Sequence, residues 1–67
     1  MQFDPKKLTK LRGTATQERA AKKARVSLPT YNRAEKGKDI SSRIAAKIAG
    51  AYGKEPEELE RRNGDAA

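Results

Sequence analysis

Residues 16–38 read TQERAAKKARVSLPTYNRAEKGK, and this stretch predicts two short helices joined by a tight turn. Thr16 is a good N-cap, because its hydroxyl can accept from a free N–H of the first turn, where Gln17 and Glu18 sit. Ala20, Ala21 and Ala24 then form a narrow apolar face at i, i+1, i+4. Side chains that small let another helix approach closely. Arg25-Val26-Ser27 interrupts the pattern. Ser27 is the next N-cap, and Pro29 falls in the following first turn, where its missing N–H costs little. Tyr31 and Ala34, at i and i+3, are placed inward; Asn32, Arg33 and Lys36 are placed outward. Gly37 follows the last helical residue, at the position where a left-handed conformation commonly closes a helix. The two helices are expected over 17–24 and 28–36.

Thr16-Gln17, Ala21 four residues after the Gln, Val26-Ser27 and Glu35-x-Gly37-Lys38 together resemble the phage repressor/Cro (Xre-type) helix-turn-helix family. The resemblance runs on as a helix pattern from Leu8 to Leu59. It implies an all-α, compact five-helix, lambda-repressor-like helix-turn-helix domain, with the second helix of the 16–38 unit entering the major groove of DNA. Three positions depart from the family pattern. Arg25 stands in the turn where Gly is usual, at a place that tends to need φ > 0. Ala34 stands where a larger aliphatic is usual, and Tyr31 replaces a β-branched residue. The Tyr31 ring is therefore expected to fill the space that Ala34 leaves.

The same resemblance assigns roles. Gln17 is similar to the family residue that reaches a phosphate and braces the recognition helix. Thr16, Lys36, Lys38 and Ser41 are expected beside it on the DNA backbone. Leu28 and Pro29 carry no polar group, so they can touch only thymine methyls or sugar edges. Asn32 can pair bidentately with adenine N6/N7, and Arg33 with guanine O6/N7. A phosphate contact, which positions without specifying, is the other role open to Arg33. Thr30 faces either the groove or its own helix N-terminus. Arg43 is similar to a family residue at the minor groove near the operator centre, where a narrow groove favours Arg; the alternative is a first-turn residue in solvent. Arg12 is implied to pair with Glu35 and pin the first helix to the recognition helix, a phosphate-facing or free surface Arg being the other reading.

Outside that unit the caps continue. Asp4 is an N-cap with Pro5 at N1, and Phe3 and Leu8 can form a hydrophobic staple. Leu8 and Leu11 share a core face, and Gly13 ends the helix. Ser41 caps a helix over 42–52 that carries Ile44, Ile48, Ala51 and Tyr52 on one stripe, closed by Gly53. Pro56 with Glu57 and Glu58 starts a short fifth helix. Leu59 is its apolar anchor and Asn63-Gly64 its expected end. The domain is expected over 1–62, with 63–67 as a loose tail. No strand is expected.

At 67 residues the chain makes one domain with a small core. Only 34% of residues are apolar and 4% aromatic, so the core must be mainly Ala, Leu and Ile. The chain has no Cys, which excludes disulfides and thiolate metal sites, and no His, the commonest general base. The carboxylates of 55–60 resemble a helix start, not a converging pair. No catalytic residue, metal or cofactor is expected. No apolar run approaches the ~20 residues of a membrane span, and no signal-peptide core follows Met1, so a cytoplasmic location is expected. The net charge of +7 is uneven: residues 1–54 hold 14 basic and 4 acidic groups, residues 55–67 hold 2 and 5. A basic body with an acidic end suits a polyanionic partner.

These readings converge on a sequence-specific double-stranded DNA-binding transcriptional regulator, Cro- or repressor-like. It is expected to occupy a pseudo-palindromic operator as a weak homodimer, in a bacterial cell or phage-infected host, with no membrane partner and no small-molecule ligand. The alternative is an antitoxin-type protein-interaction module that autoregulates through the same fold. That role needs an exposed apolar groove or strand, for which the sequence offers only Tyr52 and Leu59. RNA binding lacks the aromatic platform usual for single strands.

Overall fold

Asp4, Thr16, Ser27 and Ser41 all have extended backbones, and each side-chain oxygen accepts from a backbone N–H two or three residues on. Each thus satisfies one of the donors that a helix start leaves open. The helices they begin are α1 (Pro5–Arg12), α2 (Gln17–Ala24), α3 (Leu28–Glu35) and α4 (Ser42–Ala51). A fifth, α5 (Pro56–Leu59), begins after Glu55, whose N–H donates to the Glu58 carboxylate at 2.7 Å. The structure, a computed structural model, describes residues 1–61. Among these there is no strand, only a single antiparallel bridge between Phe3 and Glu60. No described helix is long and apolar enough to cross a membrane.

Three helices close in the same way. After α2, Val26 N–H donates to Ala21 C=O and Arg25 N–H to Lys22 C=O; Lys38 and Gly37 repeat the pair after α3, and Lys54 and Gly53 after α4. In each closure one residue must adopt the left-handed conformation. Gly37 (φ 74°) and Gly53 (φ 66°) do so with no side chain in the way. Arg25 does so with one, at φ 59°, and is the sole non-glycine residue at positive φ among those described. The tight turn therefore forms despite the missing glycine, at a cost of about 1–2 kcal/mol.

Phe3, Leu8, Tyr31 and Ile48 are the largest fully buried side chains. Ala20, Ala21 and Ala24 are buried, and α2 packs on both α3 and α4. The buried stripe of α4 is rotated from the expected one. Ala45, Ile48 and Ala49 are buried, whereas Ile44, Ala51 and Tyr52 lie half-buried at the margin. Ile48 belongs to both stripes; Ala45 and Ala49 are buried on a helix that packs on α2, whose own buried residues are all alanine. Ile40, in the loop between α3 and α4, is buried, with its N–H donating to Met1 C=O at 2.8 Å.

The fifth helix stops at Leu59, not at Asn63-Gly64. Glu60 is extended, Asp4 N–H donates to Leu59 C=O at 2.8 Å, and Arg61 N–H donates to Gln2 C=O at 2.9 Å. Pairing with the N-terminal segment takes the backbone groups that a longer helix would use. Asn63-Gly64 and the expected tail lie outside the described residues. Leu59 itself is buried, so it is not on offer to a partner.

Candidate nucleic-acid interface

The inward face of α3 is held from behind. Arg12, at the end of α1, donates from Nε to Glu35 Oε2 at 2.6 Å and from Nη2 to Glu35 Oε1 at 3.2 Å. Gln17, first residue of α2, donates from Nε2 to the same Oε1 at 2.9 Å. Arg12 Nη1 also donates to Ala15 C=O at 2.6 Å, which ties the α1–α2 connection to the cluster. Glu35 is 8% exposed. Burial alone would raise its carboxyl, but the hydrogen bonds from Arg12 and Gln17 outweigh that and hold it below the usual carboxylate range. The bond to Glu35 likewise raises the Arg12 guanidinium. Tyr31 is wholly buried and its hydroxyl lies 2.9 Å from that of Tyr52. Burial first, and then that bond, push the Tyr31 hydroxyl far above its ordinary value, so it stays a neutral phenol.

The start of the same helix and its outward face are exposed. Ser27, Leu28 and Pro29 are exposed. At 40% exposure Leu28 is the large hydrophobic residue that the described chain leaves in solvent. The Ser27 hydroxyl donates to Thr30 Oγ1 at 2.7 Å and accepts from the Thr30 N–H at 3.3 Å. Thr30 is thus turned back on its helix N-terminus. Asn32 is half-buried. Arg33 is exposed and leans toward the following loop, where Nη2 donates to Asp39 C=O at 3.3 Å.

The remaining residues of the sequence reading fall around this helix. Thr16 accepts from Arg19 N–H at 3.1 Å and Ser41 from Ile44 N–H at 3.2 Å, so both hydroxyl oxygens serve as helix caps. Gln17 has its side-chain amide on Glu35, which leaves its main-chain N–H, at the start of α2, for an anion. Lys36, Lys38 and Arg43 are exposed. Asp39 was not singled out from sequence. Its carboxyl is held below the usual range by the Met1 amine, 2.7 Å away, and it is the one acid in the basic loop 36–43. The Tyr31–Tyr52 hydroxyl contact was also missed. The signal for it was the pair of tyrosines on two inward stripes, which periodicity alone cannot bring into register. Among the described residues no group of three His, Cys, Asp or Glu gathers as a metal site would require.

A helix-turn-helix family model matches residues 12–59, more than half of the chain. No curated protein and no solved structure matches it. The matched span begins at Arg12, takes in α2, the turn and α3, and ends at Leu59. The braced inward face of α3 and its exposed outward face thus lie within a recognised unit, and the chain belongs to the Xre/Cro/CI-type helix-turn-helix family of DNA-binding regulators.

Proposed function

We propose that this chain is a sequence-specific repressor of the Cro kind, acting in the cytoplasm by occupying a pseudo-palindromic operator and excluding polymerase. The observation that carries the reading is the outward face of α3, with Leu28, Pro29 and Arg33 exposed, on a helix whose inward face is braced by Arg12, Gln17 and Tyr52. A side chain without polar groups at that position suits a thymine methyl. Leu28, Pro29, Asn32 and Arg33 would meet bases. Thr16, Gln17, Lys36, Lys38 and Ser41 would meet the backbone, and Arg43 the minor groove. To read a guanine, Arg33 must exchange its bond to Asp39 C=O for one to the base.

One such domain reads only a few base pairs, so two copies are needed for a unique site. The contact between them would be small, because Leu59 is buried and Tyr52 is half-buried. An area well below the ~1,200 Å² of a stable interface fits a chain that is monomeric alone and pairs on DNA. The loop after α4 and the start of α5 would form that contact, with half-sites about 10 bp apart. Selection of bound sites from random duplex DNA, followed by sedimentation with the enriched duplex, tests this. An enriched palindrome carrying two copies is the expected result. Binding should also fall with salt at a log–log slope of roughly −5 for about six neutralised phosphates. A tight dimer without DNA would refute the weak contact, and one copy per palindrome at saturation would refute the dimeric mechanism.

A further inference from the structure

A groove of about 360 Å³ lies between α1 and α2, and none of the residues proposed to touch DNA lines it. That volume is in the range of small-ligand sites. Its charged residues are Arg12, Arg19 and Lys23, with no acid among its walls; Leu11, Ala15, Ala20 and the Tyr52 ring supply the rest. Arg12 is committed to Glu35 and to Ala15 C=O. Arg19 and Lys23 have no ion pair among the described residues, because the one acid of α2, Glu18, faces Lys22 at 3.9 Å. They stand at i and i+4, where like charges repel across one helix face. Lys23 Nζ lies 5.5 Å from the centre of the Tyr52 ring, which holds the ammonium against the groove wall. Two unneutralised cations thus line an open hollow of mixed polarity with one aromatic wall. A second hollow, between α1 and α5, mixes Glu58 with Lys7, Lys10 and Lys54 and has no aromatic wall, so it is the poorer anion site.

We propose that the α1–α2 groove binds a small organic anion. Its carboxylate or phosphate monoester would be taken by Arg19 and Lys23, and its apolar body would lie on Leu11, Ala15, Ala20 and the Tyr52 ring. The test is an NMR titration of the full chain with phenyl phosphate and benzoate, with benzyl alcohol and inorganic phosphate as controls. Saturable shifts are expected at the amides of Ala15, Arg19, Ala20 and Lys23, absent with benzyl alcohol and at least about tenfold weaker with inorganic phosphate. Arg19→Gln with Lys23→Gln changes two exposed side chains, so the melting midpoint should hold while phenyl phosphate binding falls about tenfold or more. Arg19→Gln alone should give part of that loss. Non-saturating shifts, equal binding of inorganic phosphate, or undiminished binding by the double variant would overturn the proposal. So would a duplex that moves the same amides and displaces phenyl phosphate, since the two cations would then belong to the DNA backbone contact. Failure of the chain to bind any duplex leaves the groove result untouched, and the two proposals can fail separately.

Discussion

On its outward face α3 meets solvent through Leu28, Pro29 and Arg33, while on its inward face Glu35 takes hydrogen bonds from α1 and α2 and both Tyr31 and Ala34 are wholly buried. The two faces belong to one eight-residue helix. Their difference shows how a small domain with a modest core can still present a rigid reading edge. Polar groups from neighbouring elements fix the rear of the helix, which leaves the front free of partners. A reading surface held by other elements needs no packing of its own.

The comparison breaks first at Glu35. Glu35→Ala would leave the Arg12 guanidinium partly buried and unpaired, a loss of about 3 kcal/mol. For a domain of this size the melting midpoint should fall by more than about 10 °C. Replacing Arg12 and Glu35 together with Leu should cost less than Glu35→Ala alone; an unchanged midpoint for Glu35→Ala would mean that the pair does not brace α3. Acid should act in the same direction. The folded Glu35 carboxyl titrates below its unfolded value, so its contribution is complete above about pH 4.3 and is lost as the pH falls through the lower folded value. Glu35→Gln should flatten this acid limb of the stability curve.

Gly37 sharpens the contrast at the rear of the helix. A Cβ there would lie 2.7 Å from Arg61 Nη2 and 3.2 Å from Pro5 Cγ, at a φ of 74°. Gly37→Ala should destabilise by about 2 kcal/mol, the left-handed penalty plus a displaced Arg61 side chain. Gly53, at a similar φ, has open space around it. Gly53→Ala should therefore cost only the backbone share, and equal losses in urea titrations would show that Arg61 yields without resistance.

The front of the helix should respond in affinity and not in stability. Arg33→Ala should cost about 1–3 kcal/mol on the selected site and relax preference at one base pair. Lys38→Ala should weaken every duplex alike. Sequence-blind losses for both would assign Arg33 to the backbone. Both melting midpoints should stay near that of the parent, since neither side chain enters the brace.

The smallest effect is a gain. Arg25→Gly removes a side chain from a left-handed position that has no bond requiring it, and should stabilise by up to about 1 kcal/mol. A loss would mean that the lower entropy of the unfolded arginine chain outweighs the relief.

Local chemistry was sufficient for the helix starts, the closures at Gly37 and Gly53, and the inward alanines of α2. Each depends on residues within one turn, so spacing alone determines it. The family resemblance pointed to Arg12 and Glu35, and only the tertiary fold could bring residues 23 apart to 2.6 Å. The expected α4 stripe shares only Ile48 with the buried one, because periodicity identifies an apolar arc but not where a neighbour of small residues will meet it. The burial of Ile40, a loop residue, depended on the N-terminal segment pairing with it. The end of α5 depended on Glu60 and Arg61 finding Phe3 and Gln2 at the far end of the chain. The orientation of Arg33 toward Asp39, the Tyr31–Tyr52 contact and the cationic groove between α1 and α2 are likewise products of distant segments meeting. Helix capping is a one-turn interaction, whereas burial and side-chain direction are decided by whichever surface arrives from elsewhere in the chain.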